Sequence, residues 1–356
     1  MAVARSLLVD NSRSGFYHCI SRCVRRAHLC GDGYDHRRDW IRSRLRQLTR
    51  IFAIDLCAFS VLSNHLHSLL HTNPEAAKQW SATQIARRWL ELFPGPAGRR
   101  PRYSQAFLTA VRDLARDRER IEVLRERLSS LSWFMRCLCE PIARRANRED
   151  DCTGRFWEGR FKCHPLLDLA AVLACMVYID LNLIRAGLAK TPEQSDHTSV
   201  RDRIVVRRLF QRGRGKNERK ARGLLPDLLP ERPPGQGMRH AEDGIWLMPI
   251  EARDPRTRKR AGRPGLFGFS LEQYLELVDA TGRLILKGKG AVPAHMKPIL
   301  ERLDLDAEKW VEAMRTTRSL FGSAIGSAQS LMREAIRRGC VWIIGAMDVY
   351  RESSLG

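Results

Sequence analysis

The sequence has 10 cysteines in 356 residues but no Cys-x-x-Cys pair. Its tightest pair, Cys137 and Cys139, lies in a stretch of helical periodicity, where side chains two residues apart diverge. Structural zinc modules use closely spaced cysteine pairs, so this pattern excludes the common cysteine-rich modules. We expect the cysteines to be reduced, small core residues.

Long apolar runs are also missing. No segment approaches the roughly 20 residues of a membrane-spanning helix. Residues 1–9 are too short, and too soon interrupted by Asp10, to form a signal peptide. We therefore expect a globular protein in the cytoplasm, without a membrane partner.

Acidic residues are few, with 40 Asp and Glu against 62 Lys and Arg and a net charge of +22. Guanidinium groups match phosphate geometry, and a basic surface gains affinity by releasing nucleic-acid counterions, so the balance favours a nucleic-acid partner. An arginine-rich proteome without any special partner is the open alternative. The length and a hydrophobic content of 44% predict two domains, or one domain with large additions.

The most informative segment is 60–70, where His65 and His67 stand two apart among apolar, β-favouring residues. In an extended strand, side chains at i and i+2 leave the same face. His65 and His67 can therefore converge on one metal ion or phosphate, while Leu66 points into the core.

Periodicity along the chain predicts an α+β layout of a sheet with packed helices. The predicted elements are a strand over 15–24, a helix over 39–52, strands over 55–62 and 65–71 joined by a Ser63-Asn64 turn, helices within 75–93 and 108–148, a fourth strand over 154–162, and a buried helix over 168–184 capped by Asp168. The helices between about 75 and 149 interrupt the strand order and are interpreted as an insertion.

The composition changes beyond Arg201. Residues 201–222 hold ten Lys and Arg against Asp202 and Glu218, and a Pro/Gly-rich stretch follows. This predicts a basic linker or arm over 201–240, which either adds non-specific DNA affinity or is simply solvated. Helical periodicity after it predicts a C-terminal helical domain over 241–356, of unknown role.

Tyr178 and Asn182 lie four apart on the predicted buried helix and so share a face. A phenol with a free pKa of about 10 is a poor nucleophile, and a divalent ion or a nearby base would favour its anionic form. Asn182 would offer a carbonyl oxygen to the same ion. The alternatives are a half-buried helix tyrosine and a plain helix-terminal asparagine.

Four segments in order resemble a known family: 16–22, Asn64-His65-Leu66-His67, 154–161, and Tyr178-Ile179-x-x-Asn182-x-x-Arg185-Ala186-Gly187. Together they resemble the single-tyrosine HUH transposases, on the side of the REP-associated tyrosine transposases and their insertion-sequence relatives. The matches span roughly residues 15–200. Leu183 stands where the pattern leads us to expect proline.

The resemblance implies a ferredoxin-like antiparallel sheet with packed helices, and a metal-dependent endonuclease and strand transferase that acts on single-stranded, often hairpin-forming DNA. His65 and His67 would bind Mg²⁺ or Mn²⁺, with Asn182 as a third ligand. Tyr178 would be the nucleophile that forms a covalent 5′-phosphotyrosine. Relatives work as monomers or dimers, so a homodimer is one of the expected assemblies.

The candidate DNA-binding residues are Arg22, Arg155, Trp157, Arg160 and Lys162. Cations interleaved with aromatic side chains can hold phosphates and stack unpaired bases, although the aromatic side chains could equally be core and the cations solvated. His18 is either a neighbour of the site or a satisfied core histidine. Two further functions remain open: a non-catalytic DNA-binding protein, and a hydrolytic nuclease in which Tyr178 is structural.

Overall fold

A four-stranded antiparallel sheet, ordered β2-β3-β1-β4, organises the fold. Its strands are β1 (Gly15–Arg22), β2 (Ile54–Val61), β3 (His65–Thr72) and β4 (Lys162–Leu166). A helical crossover joins β1 to β2 and another joins β3 to β4, which is the ferredoxin-like arrangement. The predicted α+β class is confirmed.

This computed structural model describes residues 5–31, 33–94, 104–213, 246–251, 265–287, 300, 305–315, 323–340 and 343. The helices within these ranges are α1 (Arg5–Leu8), α2 (His36–Ile51), α3 (Pro74–Lys78), α4 (Ala82–Leu92), α5 (Gln105–Arg116), α6 (Arg118–Ser129), α7 (Leu131–Glu149), α8 (Leu169–Asp180), α9 (Asn182–Arg185), α10 (Ser199–Gly213), α11 (Leu271–Lys287), α12 (Ala307–Arg315) and α13 (Ala328–Arg338). No described helix has the length and apolar character that crossing a membrane requires.

Alternating side chains of β3 supply two cores, one on each face of the sheet. Leu66 and Leu70 pack into the core shared with α2 and the helices α4 to α7. Leu69 packs into the other core, which is built around α8. Because the strand period is two, His65 and His67 lie on the α8 side, as the sequence pattern predicts.

The fourth strand begins later than predicted. The strand is Lys162–Leu166, whereas residues 154–161 form an irregular segment that docks on the end of β1. Val24 N donates to Phe156 O at 2.9 Å, and Glu158 N donates to Arg22 O at 2.8 Å. These backbone groups thus form individual hydrogen bonds to β1 and the residues after it, and not the regular bonding pattern of a strand. At Gly154 the chain turns with a φ of 115°, a conformation in which most other residues would be strained.

Residues 201–213 do not form a linker, because they belong to α10. Arg203 of α10 is fully buried and donates to Cys57 O and Met248 O, both at 2.9 Å. Ile204 and Val206, which lie between the arginines, are buried as well, and the high charge of the segment obscures this pattern in the sequence. The rest of the predicted linker, 214–240, lies outside the described residues.

The described segments after residue 245 pack into the same cores as the sheet. Tyr274 and Trp310 are fully buried in the core around α8. All ten cysteines lie within the described residues and are free thiols. All but Cys139, Cys152 and Cys340 are buried, as expected of core cysteines.

Candidate functional site

The strand register brings several polar residues to the face of the sheet that α8 covers. Arg22 of β1 is paired with His65 of β3, and two residues earlier Ile20 is paired with His67. His18 of β1 is paired with His164 of β4. Since facing residues of antiparallel neighbours project to the same side, these side chains line one surface.

The rings of His65 and His67 are arranged as two ligands of one ion would be. Their centroids are 4.9 Å apart and their planes lie at 75°. A metal about 2.1 Å from a ring nitrogen is about 3.2 Å from the ring centre, so two such rings at tetrahedral or octahedral angles have centres about 4.5–5.2 Å apart. The observed separation falls within that interval.

The Nδ1 atom of each of these two imidazoles is hydrogen-bonded to another side chain of the protein. His65 Nδ1 lies 2.5 Å from Asn64 Oδ1, which can only accept, so Nδ1 carries the proton and Nε2 holds the lone pair. His67 Nδ1 lies 2.8 Å from Nε2 of His18. Hydrogen bonding at one ring nitrogen fixes the ring and leaves the other for a metal, as is usual for ligating histidines.

Burial keeps these histidines neutral at physiological pH. It lowers the pKa of His65 to about 4, and Arg22 adds to the effect. It also lowers the pKa of His67 well below its usual value, with His18 and His65 contributing. Neutral imidazole is the form that binds metal ions.

Tyr178 reaches this surface from α8. The helix begins where Asp168 caps it, accepting a hydrogen bond from Ala171 N at 2.9 Å. The Tyr178 ring lies 5.8 Å from that of His67 and 6.3 Å from that of His18, measured between centroids. The tyrosine predicted from the sequence therefore stands beside the histidine pair.

Two features of the surroundings of Tyr178 have opposite effects on the pKa of its phenol. Burial raises the pKa of the phenol, whereas the guanidinium of Arg185, 4.8 Å from the ring centroid, opposes the rise. The free group is therefore a neutral phenol, beside a cation that favours the phenolate as it forms.

The helix predicted to run to residue 184 is interrupted. α8 ends at Asp180, Leu181 adopts φ −91° and ψ 1°, and the short α9 begins at Asn182. Tyr178 and Asn182 therefore do not lie on one continuous helix, and their spacing of four residues does not by itself place them on the same face. No hydrogen-bonding partner in the described part of the chain meets the buried Nδ2 of Asn182.

A divalent ion at this face would need a third donor beside His65 and His67. Nowhere in the described residues do three or more His, Cys, Asp or Glu form a group that could hold a metal ion. Two imidazoles alone leave such a site incomplete. The atom of Asn182 without a partner among the described residues is Nδ2, a donor that does not bind a cation, so a role for Asn182 as the third ligand would use its Oδ1, the kind of oxygen that binds Mg²⁺ and Mn²⁺.

The structure separates the predicted DNA-binding residues into two groups. Arg22 lies on the histidine face, and so does the exposed Lys162 of β4, which is paired with Ile20, whereas Arg155 and Arg160 are exposed on the irregular segment 154–161. Trp157 instead packs against the opposite core and donates its indole N–H to Cys139 O at 2.9 Å. The structure therefore does not bring Trp157 together with the histidines.

Three residues of the site escaped sequence reasoning or were left open by it. His18 is fully buried and is a direct neighbour of both His67 and Tyr178. His164, 6.0 Å from His18 between ring centroids, was not singled out. Ser60 is the cross-strand partner of His67, and its buried Oγ has no hydrogen-bonding partner in the described ranges. Only the register of β1 and β2 against β3, and of β4 against β1, reveals them.

Comparison with known proteins adds one distant likeness. No protein-family model and no curated protein sequence matches the chain. A solved structure of a REP-associated tyrosine transposase bound to a REP hairpin is similar over 60% of this chain and 87% of that one, with 14% sequence identity and a TM-score of 0.33. At that distance it carries no argument about activity, and the proposals below stand on the residues of this chain.

Proposed function

We propose that this chain is a transposase that cleaves and rejoins single-stranded DNA through a covalent bond to Tyr178, with a divalent metal ion held by His65 and His67. The observation that carries the proposal is the meeting of three groups on one face of the sheet. The histidine rings are 4.9 Å apart, and the Tyr178 ring is 5.8 Å from that of His67. Asn182 is the proposed third ligand.

The chemistry asked of Tyr178 is an in-line attack on a DNA phosphate. Its oxygen forms a bond to phosphorus as the bond to the 3′ oxygen breaks, which leaves a 5′-phosphotyrosine and a free 3′-OH. A bound Mg²⁺ or Mn²⁺ would polarise the phosphate. The phenol gives up its proton to solvent as the bond forms, the departing 3′ oxygen takes up a proton from solvent to become the 3′-OH, and Arg185 stabilises the negative charge that develops on the phenol oxygen.

The same arrangement permits rejoining. The phosphotyrosine retains a phosphodiester's energy, so a 3′-OH from another strand can attack it, release Tyr178 and form a new DNA bond without ATP. Arg22, beside His65, and the exposed Arg155, Arg160 and Lys162 would hold the strand by its phosphates.

The proposal is tested with labelled hairpin oligonucleotides taken from the DNA that flanks the gene. The unaltered chain, incubated with Mn²⁺, is expected to give protein-linked DNA on denaturing gels, and Tyr178→Phe is expected to give none. Tyr34→Phe, at an exposed tyrosine just before α2, is the matched control. Cleavage that persists in Tyr178→Phe would identify a hydrolytic nuclease, and binding without cleavage would identify a non-catalytic DNA-binding protein.

A further inference from the structure

The loop between β1 and α2 presents two adjacent arginines in an unusual backbone conformation. Arg25 and Arg26 have φ of 53° and 57°. This left-handed region is disfavoured for residues with a Cβ, and two such residues in succession are rarer still. Strained backbone of this kind persists only where its surroundings fix it, and it is enriched at binding and catalytic sites.

Hydrogen bonds from two neighbouring segments fix the loop. Its backbone is bound to the β2–β3 turn and to the irregular segment before β4. The bonds are Cys23 N to Asn64 O at 2.8 Å, Cys30 N to Ser63 O at 2.7 Å, Val24 N to Phe156 O at 2.9 Å and Asn64 Nδ2 to Arg26 O at 3.2 Å. The positions of both arginines are thus set by the turn that leads into His65.

Both guanidinium groups are available to a ligand. Arg25 and Arg26 are exposed, and neither forms an ion pair within the described part of the chain. The nearby Glu158, whose N–H bonds to Arg22 O, pairs with neither of them there. The loop therefore adds two unneutralised cations at the edge of the histidine face, next to Arg22.

One side chain connects this loop to the histidine pair. The Nδ2 of Asn64 donates to Arg26 O, and the Oδ1 of Asn64 accepts from His65 Nδ1. The two ends of a single planar amide thus hold the arginine loop and orient a proposed metal ligand.

We propose that Arg25 and Arg26 form a binding site for the phosphates of the DNA strand, and that Asn64 positions both this site and His65. The inference rests on the proposed function and extends it to residues outside the catalytic group. Guanidinium groups bind phosphate by paired, charge-assisted hydrogen bonds. Such contacts read no sequence, so any DNA of suitable shape can test them.

The first experiment measures DNA binding in EDTA, where no cleavage occurs. A fluorescent DNA hairpin with a single-stranded 5′ extension is titrated at several salt concentrations. We expect Arg25→Gln/Arg26→Gln to weaken binding about tenfold at low salt and to reduce the slope of log K against log salt by about 1.4, which is two single-strand phosphate contacts. Arg118→Gln/Arg120→Gln, with the same change of charge on exposed residues of α6, should leave both values unchanged.

The outcomes separate this inference from the proposed function. Equal affinity and slope for the loop variant and the unaltered chain would overturn the phosphate site and leave the proposed function standing. Failure of the unaltered chain to bind DNA would overturn both. Arg25→Lys/Arg26→Lys keeps the charge and should keep the slope, and thermal melting of each variant verifies that it is folded.

The second experiment tests Asn64 through Mn²⁺ binding without DNA, followed by electron paramagnetic resonance. Asn64→Ala removes the acceptor for His65 Nδ1, and we expect Mn²⁺ affinity to fall about 10- to 100-fold. Asn64→Asp keeps that acceptor and should bind Mn²⁺ at least as well as the unaltered chain. Unchanged affinity in Asn64→Ala would overturn the positioning role.

Discussion

The Nε2 of His18 lies 2.8 Å from the Nδ1 of His67, across the two central strands of the sheet. Their rings are nearly parallel, with an angle of 24° between the planes. Because both side chains are buried, this bond fixes the orientation of the His67 ring within the protein. The residue that orients His67 thus comes from a strand that is 49 residues away in the sequence.

Replacing His18 should weaken metal binding without dismantling the fold. Removal of such a hydrogen-bonding partner typically lowers metal affinity or activity about 10- to 100-fold. We expect this loss of Mn²⁺ affinity in His18→Ala, measured by calorimetry, and a smaller loss in His18→Gln, whose amide can still bond to His67. His36→Ala, at an exposed histidine on α2, is the control. Full Mn²⁺ affinity in a folded His18→Ala would show that His67 needs no such support.

The sequence predicts the elements that local patterns encode. Alternation places His65 and His67 on one face, and the Asp168 cap marks the start of α8. Contacts between segments that are distant in the sequence could not be predicted in this way. The pairing of His18 with His67 depends on strand register. The core against which Trp157 packs depends on where α7 places the Cys139 carbonyl. The break at Leu181 was missed because an apolar run continues through it, so periodicity gives no sign of an end.

The hydroxyl of Tyr274 should contribute measurably to stability. It donates to Asp180 Oδ2 at 2.6 Å, and Asp180 also accepts from Ser199 Oγ and, at 3.0 Å, from Val200 N. This buried carboxyl group therefore joins the ends of three helices, α8, α10 and α11. A hydrogen bond to a charged group contributes about 1.5–3 kcal/mol, so Tyr274→Phe should lower the free energy of unfolding by that amount in urea titrations.

The control for this measurement is Tyr34→Phe, which should change the free energy of unfolding by less than about 0.5 kcal/mol because that side chain is exposed. Equal stability of Tyr274→Phe and the unaltered chain would mean that Asp180 finds another donor in the core.

The ion pair between Arg42 and Asp202 should give a pH-dependent loss of stability when Arg42 is removed. The guanidinium binds both carboxylate oxygens, at 3.1 and 2.8 Å, and Asp202 is almost fully buried. Leaving a buried charge unpaired costs about 3–5 kcal/mol, so Arg42→Ala should lower the free energy of unfolding by that amount at neutral pH.

The sign of the pH effect follows from burial, which raises the pKa of Asp202 even with Arg42 in place. A raised pKa in the folded state means that the stability contributed by this group is present below its unfolded pKa of about 3.9 and is lost as pH rises through the folded value. The deficit of Arg42→Ala should therefore shrink towards pH 4, and adding Asp202→Asn should relieve it at neutral pH. A deficit that does not vary with pH would contradict this reasoning.

The control is Arg136→Ala, which removes one member of an exposed ion pair with Glu140. It should lower the free energy of unfolding by less than about 1 kcal/mol at every pH.

The most direct measurement is the identification of the amino acid that carries DNA after incubation with a hairpin substrate and Mn²⁺. The adduct is digested with nuclease and protease, and the linked peptide is sequenced by mass spectrometry. The proposed mechanism predicts a 5′-phosphonucleotide on Tyr178 and no adduct when EDTA replaces Mn²⁺. A nucleotide on another residue, or cleaved DNA with no linked peptide, would contradict the role of Tyr178 as the nucleophile.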